Sequence, residues 1–217
     1  MNGADNVNKN ECPILYSYWR SSCSWRVRIA LNLKGIPYQL ETDWDKITKN
    51  IPFGLIPALY INGELLAESL AIIEYLDEAF PNTVRLLPEA PMERAKVRIL
   101  ALQIIANTQP LQTPRVQEFH SDSVEERERW ARHWIILCFT KLEEILKETS
   151  GRFSYGDQIT LLDLCIPPQV FNAHRYKVDL TPFPTIVRLN KILSEIPEFK
   201  TADARYQPDT PENERTC

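Results

Sequence analysis

Over roughly its first eighty residues the chain alternates short apolar runs with helix-period stripes. Ile14-Leu15-Tyr16-Ser17-Tyr18 is short, apolar and aromatic, and predicts a strand. Val27, Ala30, Leu31 and Lys34 then fall at helical spacing over residues 25–34, and Gly35 supplies the residue type that ends helices in a left-handed conformation. Residues 38–42 predict a second strand, and a β-α-β opening favours a parallel pair with a right-handed crossover. Residues 55–61 and 64–67 flank Asn62-Gly63, the strongest short hairpin signal. Pro57 falls where the first of these strands begins, a position that proline tolerates. Ser69 reads as the N-cap of a helix with Leu70, Ile73, Leu76 and Phe80 as its apolar stripe.

The pattern changes after Pro81. Pro81, Pro88 and Pro91 mark residues 81–91 as a linker, and everything beyond is helical in period. Pro91 suits the first position of a helix running to about Thr108, with Ala95, Ile99, Leu102 and Ala106 on one face. Ser123-Val124-Glu125-Glu126 is a capping box that opens a long helix to about Lys147. Thr160-Leu161-Leu162-Asp163 is a second box, with Ile159 and Leu164 placed as a hydrophobic staple. A last helix starts near Pro184, and the polar tail from Tyr206 reads as irregular. The pattern therefore predicts a small α/β domain to about residue 80 followed by an all-helical one, with no internal repeat.

The chain has 217 residues and a mass of 25.2 kDa, which accommodates two small domains. A formal charge of −4 supplies no general basic field, so nucleic acid is not an expected partner. Residues 1–11 are polar, with no apolar targeting core, and no stretch approaches the ~20 apolar residues of a membrane span. These features predict a flexible tail over 1–12 and a cytoplasmic protein without a membrane partner. Cysteines stand at 12, 23, 138, 165 and 217 without CxxC spacing, so neither a disulfide framework nor a zinc site is signalled, and a reducing compartment fits. His120, His133 and His174 lack metal-ligand spacing, and no metal is expected.

The richest segment for chemistry is Tyr18-Trp19-Arg20-Ser21-Ser22-Cys23-Ser24-Trp25-Arg26, between the first strand and the first helix. A strand-to-helix turn offers free N–H groups and the positive end of a helix dipole. Hydroxyls and a thiol there suit a thiolate or another anion, and Cys23 is placed where a thiolate is favoured. A plain serine-rich cap is the alternative. Ser69 and Glu68 have bland readings as a helix cap and a solvated acid. Arg175, near the end of the helix that opens at Thr160, reads either as a cation favoured by the helix dipole or as an anion hook.

Together these features resemble a cytosolic glutathione transferase. The run Ser21-Ser22-Cys23-Ser24-Trp25-Arg26-Val27-Arg28-Ile29-Ala30-Leu31 is similar to the signature of the zeta class, which includes maleylacetoacetate isomerase. Glu68 to Leu76, Gln109-Pro110-Leu111-Gln112, Val178 to Pro184 and Gln207-Pro208-Asp209 extend the match over about residues 13–210. The resemblance implies a thioredoxin-like, glutathione-binding α/β domain over 13–84, an all-α substrate domain over 91–217 and a homodimer. It implies that Ser22 donates to the glutathione sulfur, with Ser21 and Cys23 beside it and Arg26 orienting the site. Ile56 would pair its backbone with the cysteinyl part, with Pro57 cis, and Glu68 and Ser69 would hold the γ-glutamyl group. Gln109 would approach the cofactor, and Arg20 and Arg175 would face an acidic substrate. The implied activity is glutathione-dependent cis–trans isomerisation of maleylacetoacetate, a step of tyrosine catabolism, with transferase activity on small electrophiles such as α-halo acids.

Two departures stand out. The 39–55 segment is shorter than the family pattern, and Trp44–Asn50 is expected to be too short for a full second helix with its flanking loops. Thr113-Pro114-Arg115 also differs from the family's residues, and Pro114 is expected to stop or kink a helix. The alternatives are a detoxifying transferase without isomerase activity and a non-catalytic relative that binds glutathione or a partner. A disulfide oxidoreductase lacks the resolving cysteine of a CxxC.

Overall fold

The computed structural model describes residues 12–215, so residues 1–11 of the expected tail, together with Cys217, lie outside them. The described chain divides into two units. One holds residues 12–84 and 201–215, and the other holds Arg85–Lys200.

The first unit is built on four strands: β1 (Ile14–Tyr16), β2 (Gln39–Glu41), β3 (Ala58–Ile61) and β4 (Glu64–Ala67), in the order β2-β1-β3-β4. β1 runs parallel to β2, as a β-α-β opening requires, and antiparallel to β3. β3 and β4 form the hairpin across Asn62-Gly63, whose φ angles of 55° and 85° suit the turn that tight hairpins favour. Helices α1 (Ser22–Leu33) and α3 (Ser69–Ala79) pack together. Leu15, Val27, Ile29, Leu31, Leu59, Ile72 and Leu76 are fully buried in this unit. This is the thioredoxin-like arrangement, with a mostly helical remainder.

The 39–55 segment does hold a helix, contrary to expectation. α2 (Trp44–Asn50) makes two turns, because Asp43 caps it by accepting from the Asp45 N–H at 2.9 Å. Ile47 anchors it in a small core with Ile51 and Ala58. The cap and one buried isoleucine offset the short length.

The second unit contains α4 (Pro91–Ile105), α5 (Pro114–His120), α6 (Val124–Thr149), α7 (Leu161–Arg175) and α8 (Pro184–Ser194). α4 buries Val97, Leu100, Ala101 and Ile104, whereas Ile99 of the expected face is 57% exposed. Apolar residues cover most of this helix, so periodicity does not select the stripe that packs. The 3-10 turn over Gln109–Gln112 ends before Pro114, as expected of a helix-stopping proline, and Pro114 then starts a new helix. Thr113 before it is extended, and proline at the first helical position removes a donor that has no partner there. Ser123 caps α6 by accepting from the Glu126 N–H at 3.4 Å.

α9 (Pro197–Ala202) leads out of the second unit. The residues that follow, expected to be irregular and to belong with the helical domain, group with the first unit and are organised. Gln207 and Thr210 are buried, and the Thr210 hydroxyl donates to the Ala204 carbonyl at 2.6 Å.

Candidate active site

Strand register brings three chemistry-bearing segments to one end of the sheet. Tyr16, the last residue of β1, pairs with Ala58, the first of β3, and Ala58 pairs with Ala67, the last of β4. The turn leaving β1, the Ile56-Pro57 pair entering β3 and Glu68-Ser69 leaving β4 therefore emerge side by side. Ile56–Pro57 is cis, as the resemblance implies.

The turn after β1 is compact. The Ser21 N–H donates to the Tyr18 carbonyl at 3.0 Å, and the Ser21 hydroxyl accepts from the Ser24 N–H at 3.2 Å. Ser21 is thus the cap of α1, with Ser22 and Cys23 as its first two helical residues, all three half-buried. No acidic residue stands in this first turn, so the positive end of α1 has no carboxylate of its own. Arg26 is buried, while Arg20 is half-buried with its guanidinium 5.4 Å from the centre of the Trp19 ring. The Tyr18 ring meets Trp19 edge-on and Trp44, the first residue of α2, at a tilt, each with ring centres 5.8 Å apart.

At the neighbouring segment the expected cap moves by one residue. Ser69 is the first residue of α3 and is buried, and Glu68 takes the cap position with φ 69° and ψ 117°. A left-handed φ is uncommon for a residue with a side chain and is sustained only by its surroundings. Glu68 is exposed, makes no side-chain bond to its own helix, and no acid follows in the first turn of α3. The donor set of this sheet end is two helix starts without carboxylates, serine hydroxyls and one exposed carboxylate. That set fits a ligand carrying a thiol, a carboxylate and an ammonium group.

The remaining expected residues belong to the second unit. Gln109 is half-buried at the start of a 3-10 turn over Gln109–Gln112. Arg175 lines a cavity of about 350 Å³ with Gln117, Arg127, Glu128 and Tyr176, and its guanidinium lies 5.0 Å from the centre of the Tyr176 ring. Among the described residues, no group of three or more His, Cys, Asp or Glu is placed to hold a metal, and no helix is long and apolar enough to cross a membrane.

Residues 15–84 match the family model for the glutathione S-transferase N-terminal domain. Over 214 residues the chain is 44% identical to maleylacetoacetate isomerase of Mus musculus, covering 94% of this chain and 98% of that protein. The chain belongs to the zeta-class glutathione transferases, the maleylacetoacetate isomerase family. It is 43% identical to the probable maleylacetoacetate isomerase 1 of Drosophila melanogaster, over 92% of this chain and 84% of that one. Its structure is similar to that of maleylacetoacetate isomerase from Anaeromyxobacter dehalogenans with glutathione bound in the active site, with a TM-score of 0.84 and 37% identity. That likeness covers 92% of this chain and 98% of the other.

Within this zeta-class chain the structure also draws two residues toward the turn that sequence reasoning did not single out. Arg28 and Asp209 both bond to the main chain between Ser17 and Trp19. Each lies in a segment quoted for the family resemblance, and nothing local to either position signals the contact.

Proposed function

We propose that the protein is a glutathione-dependent isomerase that converts maleylacetoacetate to fumarylacetoacetate, with transferase activity on small electrophiles such as α-halo acids. The observation that carries this reading is the strand register that sets the Ser21-Ser22-Cys23 turn, Ile56-Pro57 and Glu68-Ser69 at one sheet end. Bound glutathione supplies a thiolate that adds to a conjugated double bond, leaves a single bond free to rotate and is then released.

The chain's own groups do the rest. The Ser22 hydroxyl and the first-turn N–H groups of α1 stabilise negative charge on sulfur, with Ser21 and Cys23 beside them. Ile56 offers its backbone to the cysteinyl unit. The Glu68 carboxylate pairs with the ammonium of the γ-glutamyl group, while Ser69 and the start of α3 take its carboxylate. Arg26, which is buried, helps to orient the site. Gln109 approaches the cofactor, and Arg20 and Arg175 attract the acidic substrate.

The same reading includes a homodimer and a cytoplasmic location. Met92 and Ile99 are 68% and 57% exposed and lie seven residues apart on one face of α4, an apolar surface suited to a second copy. Cys12, Cys23, Cys138 and Cys165 are free thiols, which suits a reducing compartment. Light scattering should return about twice the 25.2 kDa of one chain.

The deciding experiment is conversion of maleylacetone, a surrogate substrate, with and without glutathione. Turnover only in the presence of glutathione is expected. Equal turnover without it overturns the proposed function.

A further inference from the structure

The segment after Ala202 reaches the turn between β1 and α1 through hydrogen bonds that the proposed chemistry does not use. Arg28, on α1, is fully buried. Its Nε donates to the Ala202 carbonyl at 2.9 Å. One terminal nitrogen donates to the Ser17 hydroxyl at 3.1 Å and the Tyr18 carbonyl at 3.4 Å, and the other donates to the Trp19 carbonyl at 3.0 Å. From the other side, the Trp19 N–H donates to Asp209 Oδ2 at 2.8 Å, across 190 residues of sequence. Both main-chain groups of Trp19 are thereby held, one by each partner.

These contacts continue into the site. The Tyr18 carbonyl that receives Arg28 also accepts the Ser21 N–H, and Ser21 is the residue that caps α1. A displacement at Tyr18 or Trp19 therefore passes through one hydrogen bond to the residue that places Ser22. The C-terminal segment is itself tied together by hydrogen bonds. Gln207 Nε2 donates to the Asp203 carbonyl at 2.8 Å and the Thr201 carbonyl at 3.0 Å, and Arg215 donates to the Pro208 and Thr210 carbonyls. Asn32 of α1 donates to the Thr201 hydroxyl at 3.0 Å, a further tie between the segment and the same helix. Burial pulls the Arg28 guanidinium down to about 10, with Tyr38, Asp209 and Asp203 opposing the shift, so it keeps its charge at neutral pH.

A merely stabilising buried arginine would need partners of any kind. This one directs three of its four bonds to successive residues of the turn that launches α1, and Asp209 meets the one main-chain donor beside them. We infer that Arg28 and Asp209 are positioning residues, and that the C-terminal segment 201–215 is a clamp holding the Ser17–Ser21 turn in the form that presents Ser22 and the first turn of α1 to a thiol. The inference rests on the glutathione reading of that turn and adds a requirement to it: the far end of the chain must be docked for the thiol site to be in order.

The test compares Asp209→Ala with Asp209→Asn, because the amide oxygen of asparagine still accepts from the Trp19 N–H. Glutathione affinity is measured by calorimetry, and amide hydrogen exchange is followed over residues 17–22 in the unliganded protein. Asp209→Ala should weaken glutathione binding about tenfold and speed exchange at residues 17–22 by a similar factor, the size of one such hydrogen bond. The interior of α1 and the helical unit should exchange as before, and Asp209→Asn, which keeps an acceptor but loses its charge, should show clearly smaller changes than Asp209→Ala. Should Asp209→Ala fail to fold, Arg28→Lys carries the test, since it keeps the charge and loses the fork to Tyr18 and Trp19, and the same local acceleration is expected. Unchanged exchange at residues 17–22, equal losses in the alanine and asparagine variants, or acceleration spread over the whole unit each overturn the inference. Absence of glutathione binding by the wild-type protein would instead overturn the proposed function, while the exchange data still decide whether the clamp orders the turn.

Discussion

The starts of α1 and α7 look alike along the chain and behave differently in the fold. Each opens on a hydroxyl residue, Ser21 or Thr160, and each has a polar residue at the third helical position. At α7 that residue is Asp163, fully buried. Its Oδ2 accepts from the Thr160 N–H at 2.8 Å and the Thr160 hydroxyl at 2.9 Å, and its Oδ1 accepts from the Ser154 N–H at 2.8 Å. The helix end is closed by its own carboxylate. At α1 the third position is Ser24, whose N–H is met by Ser21, and no acid stands in the first turn. That end keeps its positive field available to a ligand. A hydroxyl at a helix start thus says little about role. Whether the first turn supplies its own negative charge separates a fastener from an anion-receiving end.

Two substitutions test this division from opposite sides. Ser22→Ala should lower kcat/KM in the glutathione-dependent reaction about 10²-fold or more, a loss of roughly 3 kcal/mol of transition-state stabilisation. Its unfolding free energy should stay within about 0.5 kcal/mol of wild type, because the cap is Ser21. An unchanged kcat/KM would move the role to Cys23 or to the backbone. Asp163→Ala should do the reverse. It strands buried donors of Ser154 and Thr160 and should cost about 2 kcal/mol of stability in urea unfolding. Turnover by the fraction that remains folded should match wild type. A variant that moved both quantities equally would erase the distinction between the two ends.

The closed end is the more legible of the two. Thr160, Asp163, Ile159 and Leu164 lie within one turn of each other, so their interaction is written locally. The same holds for the Asn62-Gly63 hairpin and for Gly35, whose φ is +64°. Legibility fails where the answer depends on distant packing. Periodicity misassigns the buried stripe of α4 because Ile99 and Leu100 are equally apolar, and only the neighbouring helices decide between them. It misses α2 because the support of that helix, Ile47 against Ile51 and Ala58, is a tertiary contact. In the candidate site, the serine-rich turn stands out in the sequence, and the resemblance implies the cis bond at Pro57. The long-range contacts do not stand out, since no local pattern links Trp19 to Asp209, 190 positions away, or Arg28 to Ala202, 174 positions away. Glu68 in the left-handed region is equally hidden, because glutamate is not a residue that advertises that conformation.

A smaller effect comes from pH. Burial pushes the Asp163 carboxyl up from its ordinary value, and the donors of Thr160 and Ser154 oppose the shift without cancelling it. An acid whose value is raised on folding binds its proton more tightly in the folded state. Its titration therefore contributes stability below the ordinary carboxylate range near ~3.9, and loses it as pH rises through the raised value. An Asp163→Asn variant carries an amide at this position, which does not titrate. The advantage of wild type over Asp163→Asn in chemical denaturation should thus be larger at about pH 4 than at about pH 8. A gap that widens toward high pH would mean that the donors outweigh burial.

The finest test makes the open end resemble the closed one. Cys23→Asp places a carboxylate in the first turn of α1, where Cys23 is half-buried and no other acid stands. An acid near a helix N-terminus is stabilising by about 0.5 kcal/mol, so urea unfolding should shift slightly toward higher stability. The same carboxylate occupies the field that a thiolate would use and repels it, so glutathione binding should weaken and turnover should fall. Opposite signs in the two measurements are the decisive result. They would show that α1 forgoes a small, readily available stabilisation to keep its first turn free of charge. Loss of stability together with unchanged binding would show instead that the missing acid at α1 has no bearing on ligand capture, and the contrast with α7 would reduce to a difference in burial.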